Sequence, residues 1–331
     1  MAGDHLTREE TQSLFGQLMD GEVSDPLKAA LLVALAMRRE AAEEIAGAAA
    51  AMRARAVAIP HHRADVVDTC GTGGDGRGSF NISTAAALVA AAAGAPVAKH
   101  GNRSVSSRSG SADVLAELGV KIDMWPKQAG AALDQLGIAF LFAPLLHPAM
   151  REVMPVRREL GVRTIFNLLG PLTNPAGARR QLMGVYAEEL VEVIARVQAE
   201  LGSEHALVVH GSDGLDEITT TGPTLVSEVR NGRIETYRLE PEALGLRRAR
   251  LEDLLGGEPR HNADQMRRVL AGEDGPLADV TALNAAAALY VAGLAADLAQ
   301  GLERARQALA SGAAARKLEE LRAFGEQEVA P

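Results

Sequence analysis

The chain has 331 residues, 47% of them hydrophobic, and its 43 acidic and 34 basic residues give a formal net charge of -9. This length allows one large domain or two ordinary ones, and the acidic balance argues against a nucleic-acid-binding surface. Residues 1–20 carry charges where a secretory signal would be apolar, and the apolar run after Thr84 is interrupted by Gly94 and Pro96. The single cysteine, Cys70, excludes an internal disulfide, so we expect a cytoplasmic protein without a membrane segment.

Helical signals dominate the first 55 or so residues, where Thr7 and Glu10 form a predicted capping box. From residue 64 onward, short β-like runs alternate with helices, which predicts a mostly parallel sheet. The predicted strands are 66–69, 96–99, 139–142, 181–186 and 206–210, and the helices between them include 81–93, 111–118 and 188–201. A hairpin is predicted around Asn231 and Gly232, and helices follow residue 251.

This order of elements predicts an α/β fold with a small all-helical domain and a large α/β domain, whose mostly parallel central sheet is flanked by helices. Residues 147–180 are predicted to be helical and broken by prolines, and we expect them to pack back on the N-terminal helices. The small domain would then comprise residues 1–63 with part of 147–180. The α/β domain would comprise residues 64–146 and 181–331.

One stretch of the chain has an unusual charge pattern. It contains no acidic residue between Asp75 and Asp113, although it carries four basic residues: Arg77, Lys99, Arg103 and Arg108. A local positive excess in an acidic protein requires an anionic partner, and the surrounding glycines and hydroxyls indicate contacts through backbone N–H groups. The stretch therefore predicts a phosphate site.

The first loop of this stretch, residues 71–76, formally matches a dinucleotide-binding glycine pattern. That fingerprint needs a helix that begins within the glycines, whereas the helix here is predicted to begin near Asn81, so a nicotinamide-dependent dehydrogenase is disfavoured. A helix capped by Asn81, with Ser83 and Thr84 in its first turn, would instead direct amides and a dipole at an anion. A glycine-rich turn with no ligand is the alternative.

The second loop, residues 99–111, follows the next strand and would come to the same edge of the sheet. Lys99 would act as a point charge for phosphate, with serine hydroxyls as donors. The alternatives are a solvated surface charge for Arg108 and a loop histidine with no proton to move for His100.

Asp216 and Glu217 follow another predicted strand and would lie at this same edge. Adjacent carboxylates in a loop can converge on one site, and Mg²⁺ binds through one or two carboxylates together with substrate phosphate oxygens. With two phosphate loops beside them, these residues predict a Mg²⁺ site in preference to a solvated pair.

Arg157 lies in the proline-broken segment. If residues 147–160 are helical, it shares one face with three other residues: His147, Met150 and Val153. A guanidinium on an apolar stripe needs a partner, and Pro155 would kink or restart the helix and turn Arg157 inward. An aromatic carboxylate would satisfy both the stripe and the guanidinium. A salt bridge with Glu152 or Glu159 is the alternative.

Five segments, in this order, carry a family resemblance: GTGGD (71–75), NIST (81–84), KHGNRS (99–104), NLLGPLTNP (167–175) and the pair at 216–217. Together they resemble the anthranilate phosphoribosyltransferase family across most of the chain. The resemblance implies a nucleoside phosphorylase/phosphoribosyltransferase-like fold, a homodimer joined through the helical domains, and Mg²⁺. It also implies a reaction of tryptophan biosynthesis, in which anthranilate and phosphoribosyl pyrophosphate (PRPP) give N-(5-phosphoribosyl)anthranilate and pyrophosphate.

The resemblance also implies roles for individual residues. Residues implied to contact PRPP are Gly71, Gly74, Asp75, Ser79, Asn81, Ile82, Ser83, Thr84, Lys99, His100, Gly101, Asn102, Arg103, Ser104, Val105, Ser106, Ser107 and Ser111. Anthranilate would contact Gly71, Asn102 and Arg157, with Pro171 and His147 along its route, and Mg²⁺ would be held by Ser83, Asp216 and Glu217.

The family pattern is kept with two small departures, because Ser79 replaces a common threonine and Val105 replaces a smaller residue. Displacing pyrophosphate from an anomeric carbon requires charge stabilisation and positioning, so no side-chain nucleophile is expected. Cys70 adjoins the glycine loop and is expected to be a small buried residue. A pyrimidine nucleoside phosphorylase-like enzyme and a non-catalytic nucleic-acid-binding relative are the alternatives.

Overall fold

The computed structural model describes residues 4–104 and 108–327. Three residues implied to contact PRPP lie outside the described residues: Val105, Ser106 and Ser107. The N-terminal part forms three helices, α1 (Arg8–Met19), α2 (Asp25–Arg38) and α3 (Ala42–Arg53). The predicted capping box is confirmed, because the Thr7 hydroxyl accepts the N–H of Glu10 and the Glu10 carboxylate accepts the N–H of Thr7.

A seven-stranded sheet organises the rest of the chain, in the order β3-β2-β1-β4-β5-β6-β7. Neighbouring strands from β3 to β5 pair in parallel, and β6 and β7 are added antiparallel. The prediction of a mostly parallel sheet is therefore confirmed. The strands are β1 (Val67–Asp68), β2 (Val97–Gly101), β3 (Ile138–Phe142), β4 (Arg180–Gly184), β5 (His205–Gly211), β6 (Thr224–Arg230) and β7 (Arg233–Leu239).

Helices surround this sheet, and several consist largely of alanine, which lets backbones pack closely. The helix Ile82–Ala92 (α4) lies against the helix Pro276–Val291 (α12), and nine of the eleven residues of α4 are buried. The remaining helices are α4 (Ile82–Ala92), α5 (Ser111–Glu117), α6 (Pro126–Leu136), α7 (Ala143–Leu146), α8 (Met154–Leu160), α9 (Phe166–Leu169), α10 (Leu190–Glu200), α11 (Pro259–Leu270), α12 (Pro276–Val291), α13 (Leu298–Ala310) and α14 (Ala313–Gly325). None of the helices in the described ranges is both long and apolar enough to cross a membrane.

Two hydrophobic cores form on this framework. One joins the N-terminal helices to α8, α9, α10 and one face of the sheet, and the other fills the space between the sheet and α4, α12, α13 and α14. In the first core, the rings of Phe15 and Phe166 lie 5.6 Å apart, so the segment after residue 147 packs back on the N-terminal helices. The exact domain boundaries stay a prediction.

Local differences from the sequence prediction have simple causes. Residues 147–160 do not form one helix, because a 3₁₀ turn at Pro148–Glu152 precedes α8, and Pro155 occupies the first turn of α8, where its missing N–H costs nothing. The predicted hairpin turn is confirmed, since Asn231 and Gly232 both have positive φ values, 50° and 79°.

The topology places the functional segments at one edge. The carboxyl ends of β1, β2, β4 and β5 all lead to that edge, because the four strands are parallel. Strand order changes direction between β1 and β4, where a crevice opens in sheets of this kind.

Candidate active site

The glycine loop, residues 71–76, follows β1 and is held by two of its N–H groups, which donate to the end of β4 and to a carboxylate in the segment after β5. The N–H of Thr72 donates to the Gly184 carbonyl at the end of β4, at 2.9 Å. The N–H of Gly73 donates to Asp216 Oδ2 at 2.7 Å. Gly73 and Gly74 have φ values of 64° and 75°, which glycine adopts without strain. The loop therefore lies directly beside the carboxylate that the sequence assigned to a metal.

Two glycines make this approach possible. A Cβ at Gly184 would lie 1.6 Å from the Asp216 carbonyl oxygen, and a Cβ at Gly71 would lie 2.9 Å from Asp216 Oδ2. Because β4 lies between β1 and β5 in the sheet, the loop after β5 must cross the end of β4 to reach the glycine loop. The absence of a side chain at Gly184 opens that path.

Carboxylates gather at this crossing. Desolvation raises the pKa of Asp216 well above its ordinary value, and the charges of Glu217 and Asp75 raise it further. Desolvation also raises the pKa of Glu217 to about 7, against the opposing effects of Lys99 and of the Ser83 N–H, which donates to Glu217 Oε1 at 3.1 Å. The negative charges of the three carboxylates repel one another.

The donor set fits a hard divalent cation. Asp75, Asp216 and Glu217 offer only oxygen ligands, and Ser83 places a hydroxyl beside Glu217. Mg²⁺ prefers such oxygen ligands and usually retains waters or phosphate oxygens as well. A cation at this position would offset the repulsion that raises the carboxylate pKa values.

Lys99 lies beneath the loops rather than extending from them. Its side chain is buried, and Nζ donates to the Thr69 carbonyl, the Thr69 hydroxyl and the Ser83 hydroxyl at 3.2–3.3 Å. Its charge lowers the pKa values of Asp68 and Glu217, which burial raises more strongly. Lys99 therefore acts as a counter-charge for carboxylates, and its contact with phosphate stays a prediction.

The second loop is tied to α5. Arg103 Nη1 contacts Asp113 Oδ1 at 2.9 Å, and the N–H groups of Ser104 and Gly110 donate to the other oxygen of Asp113. The Ser111 hydroxyl donates to the carbonyl of Asn102 at 3.3 Å. Part of the local positive charge is thus balanced by the first acidic residue after the stretch.

Asn81 has a different role from the expected helix cap. It occupies the position before α4, but its side chain makes no capping hydrogen bond. Its Nδ2 donates instead to the Ser109 carbonyl at 3.1 Å, and its Oδ1 accepts from Asn262 at 2.8 Å. Asn81 thus connects the start of α4 to the second loop and to α11. The Glu217 carboxylate accepts the N–H of Ser83 in the first turn and so lies at the helix N-terminus.

Other predicted donor-site residues lie deeper in the protein. Ile82, Thr84 and His100 are each at most 2% exposed, and their contact with PRPP stays a prediction. Gly101 has no room for a side chain, since a Cβ would lie 2.3 Å from Ser111 Oγ. Ser79 pairs with Leu255 in an isolated β-bridge at the mouth of the glycine loop.

Arg157 has no carboxylate partner among the described residues. Its Nη1 approaches Met154 Sδ at 3.7 Å, and the guanidinium carbon lies 5.5 Å from the centre of the Phe166 ring. Burial lowers its pKa. Glu152 instead contacts Arg151 at 3.3 Å, so the alternative of a salt bridge to Glu152 or Glu159 is wrong for this structure. A half-buried guanidinium in apolar surroundings is left for an external anion.

Comparisons with known proteins agree with this geometry. A model of the glycosyl transferase family α/β domain matches residues 63–315, and one of the glycosyl transferase family helical bundle domain matches residues 1–56. An anthranilate phosphoribosyltransferase of Symbiobacterium thermophilum is 53% identical over 97% of this chain and 94% of its own length, and one of Rhodopseudomonas palustris is 52% identical over 96% and 94%.

The chain belongs to the anthranilate phosphoribosyltransferase family.

Solved members of this family share the fold. The anthranilate phosphoribosyltransferase of Thermus thermophilus is 51% identical with a TM-score of 0.94, covering 98% of this chain and 97% of its own. The Saccharomyces cerevisiae family member, solved in complex with PRPP and Mg, is 27% identical with a TM-score of 0.88, covering 97% and 93%. The resemblance read from the sequence is confirmed, and the pyrimidine nucleoside phosphorylase-like alternative is not favoured.

Two histidines lie together in the same region as the family motifs. The rings of His100 and His147 are 5.1 Å apart, and His100 Nδ1 contacts the Gly170 carbonyl at 3.0 Å. Burial lowers the pKa of His100 to about 3 and that of His147 to about 4, so both are neutral at physiological pH. Pro171, next to Gly170, is buried, and its carbonyl accepts from Gln181.

Several residues at the site escaped sequence reasoning. The buried Asp68 carboxylate accepts from the N–H groups of Cys70 and His100 and from Asn174 Nδ2, and burial raises its pKa to about 6. Asn174 also donates to the carbonyl of Ala98, so the Asn-Pro end of the family motif ties β1 to β2. The sequence signal that could have identified Asp68 is an aspartate within an otherwise apolar strand. Burial raises the pKa of the half-buried Cys70 thiol, consistent with an unreactive residue.

Proposed function

We propose that the chain transfers the phosphoribosyl group of PRPP to the amino group of anthranilate, forming N-(5-phosphoribosyl)anthranilate and releasing pyrophosphate in tryptophan biosynthesis. The observation that carries this proposal is the Gly73 N–H on Asp216, which joins a phosphate-type loop to a carboxylate cluster at the strand-order reversal. Family membership supports the same reaction.

We assign the donor side of the site to the two loops and the carboxylates. PRPP would lie between the glycine loop, the start of α4 and the second loop, with Asp216, Glu217 and Ser83 holding Mg²⁺. The bound ion would neutralise negative charge that develops on the departing pyrophosphate. Free N–H groups of the glycine loop would donate to the same oxygens, and they need no reorganisation because the loop is already fixed.

Arg157 is assigned to the acceptor. Its guanidinium would pair with the anthranilate carboxylate, and the apolar surroundings that include Phe166 suit an aromatic ring. Gly71 and Asn102 would contact the same substrate from the two loops. No contact within the described residues joins Arg157 to either of them, so their convergence on one acceptor rests on the family resemblance.

The chemistry requires no side-chain nucleophile. The anthranilate nitrogen forms a bond to the anomeric carbon while the bond to pyrophosphate oxygen breaks, and one proton leaves the nitrogen. The Cys70 thiol, next to the glycine loop, is unsuited to nucleophilic attack, since its raised pKa keeps it protonated. The chain's contribution is therefore to position two substrates and to stabilise a leaving group.

We also propose a homodimer in the cytoplasm. Helix α2 of the N-terminal bundle exposes two large apolar side chains, Leu27 at 63% and Met37 at 83%. Exposed apolar groups on one helix support a contact with a second copy through the helical bundle. Light scattering after size exclusion tests this, and a monomer at micromolar concentration would contradict it.

The decisive assay is the loss of anthranilate fluorescence in the presence of PRPP and Mg²⁺. We expect turnover only when all three are present. Release of uracil or thymine from nucleosides, measured in parallel with inorganic phosphate, is the control for a phosphorylase. Turnover in that control without anthranilate consumption would refute the proposal.

A further inference from the structure

Arg163, which has no predicted role, contacts both the glycine loop and the segment that follows β4. It follows α8 by three residues, and its Nη2 donates to the carbonyl oxygen of Gly74 at 2.5 Å. The same guanidinium lies over the ring of Tyr186, 4.2 Å from its centre, just beyond β4. The exposed Arg163 side chain thus forms a hydrogen bond with the glycine loop and a cation–π contact with an aromatic ring.

The consequence follows from the geometry of the peptide bond. In a planar trans peptide, the carbonyl of one residue and the N–H of the next point in opposite directions. Because the Gly74 carbonyl accepts from Arg163, the N–H of Asp75 is directed away from the Arg163 guanidinium. Within the described ranges, this N–H has no hydrogen-bond partner.

The neighbouring residues of the loop are held independently of Arg163. Thr72 donates to β4 through its N–H and accepts the N–H of Tyr186 on its hydroxyl, at 3.0 Å. Gly73 is bonded to Asp216. Among the contacts of the described residues, Arg163 bonds to the loop only at the peptide between Gly74 and Asp75. Since Gly74 already has a positive φ and open space around it, that peptide could rotate and present its carbonyl to an anion if Arg163 were lost.

We propose that Arg163 is a positioning residue that fixes the Gly74–Asp75 peptide, so that the Asp75 N–H donates to the pyrophosphate group of PRPP. The inference rests on the proposed function and adds to it a residue outside the carboxylate cluster. The guanidinium of Arg163 stacks on the ring of Tyr186. This stacking restricts the side chain beforehand, so less conformational entropy is lost when Arg163 bonds to the loop.

The test compares three variants with the wild-type enzyme. Arg163→Met keeps the stem over Tyr186 and removes the donor, and Arg163→Lys restores a charge and a donor. Arg196→Met removes an exposed arginine on α10 whose contact is a surface ion pair with Glu192, and it serves as the matched control. PRPP binding is measured by calorimetry with Mg²⁺, apart from turnover, and KM for each substrate, pyrophosphate inhibition and Tm are recorded.

We expect Arg163→Met to weaken PRPP binding and pyrophosphate inhibition about 10- to 150-fold, the range for one hydrogen bond to a charged group. Its anthranilate KM should stay within about twofold and its Tm within about 2 °C, because the residue is exposed. Arg163→Lys should recover most of the loss, and Arg196→Met should match the wild type.

Unchanged PRPP binding in Arg163→Met, or equal losses in Arg163→Met and Arg196→Met, would overturn the assignment. So would equal losses for both substrates together with a fall in Tm, since this would show a structural role. If the wild type itself fails to bind PRPP, the proposed function fails. If the wild type turns over and the Arg163 variants equal it, only the present inference fails.

Discussion

Replacing Arg157 with methionine tests whether its guanidinium binds a substrate or stabilises the fold. The side chain is half-buried, its pKa is lowered by burial, and its contacts are the sulfur of Met154 and the ring of Phe166. Methionine is unbranched and apolar, so it can occupy the same space. The change therefore removes a charge without creating a large cavity.

Two opposing effects set the expected stability. Removing a desolvated charge favours the folded state, whereas loss of the contact with Phe166 costs about 0.5–1 kcal/mol. We expect them to cancel, leaving Tm within about 2 °C of the wild type. For anthranilate binding, no favourable contribution offsets the loss of the guanidinium. Hydrogen bonds to a charged group contribute about 1.5–3 kcal/mol, so KM for anthranilate should rise about 10- to 150-fold while KM for PRPP changes less than about threefold.

Steady-state fluorescence with each substrate varied in turn, together with thermal unfolding, checks this prediction. The neighbouring exposed arginine of α8 provides the control variant Arg158→Met, which should behave as the wild type. Equal increases in both KM values would show that Arg157 does not distinguish the acceptor. A large fall in Tm with an unchanged anthranilate KM would show that the guanidinium stabilises the fold instead.

Three further perturbations test the site and its frame. The double variant Asp216→Asn with Glu217→Gln should lower Mg²⁺-dependent kcat by about a thousandfold or more, since it removes charged ligands, and an unaltered Mg²⁺ titration would contradict the assignment. Gly184→Ala should lower the free energy of unfolding by about 1–3 kcal/mol in urea titration, because its Cβ would meet the Asp216 carbonyl, whereas Gly170→Ala has open space and should be nearly neutral. Burial lowers the pKa of His147 to about 4, so as pH falls from about 6.5 to 4 the unfolded chain binds a proton that the folded chain does not, and stability decreases. His147→Gln should reduce that slope by up to about 1.4 kcal/mol per pH unit, and an unchanged slope would show that the histidine titrates alike in both states.

Much of the site could be predicted from local sequence patterns. The glycine loop, the second loop and the carboxylate pair each follow a predicted strand, and parallel strands bring such segments to one edge without any knowledge of strand order. The capping box at Thr7 and the turn at Asn231 were equally local, because each depends on residues within a few positions.

The failures of prediction involve long-range contacts. Asn81 looked like a helix cap because of its residue type and position, yet Asn262 and Ser109 compete for its side chain from distant parts of the chain. The sequence also did not predict that Lys99 lies beneath the loops, because that position depends on the burial of Asp68 and Glu217 beside it.

The sequence by itself therefore determined the class of fold, the family and the segments that form the site, because periodicity and motif spacing report local conformation. Only the tertiary structure decided which groups meet. Asp216 reaches Gly73 because β4 separates β1 from β5 and ends in a glycine, and Arg163 reaches Gly74 because the end of α8 returns to the sheet beside Tyr186. Such contacts depend on strand order and on the space between backbones, and neither is encoded in the spacing of residues along the chain.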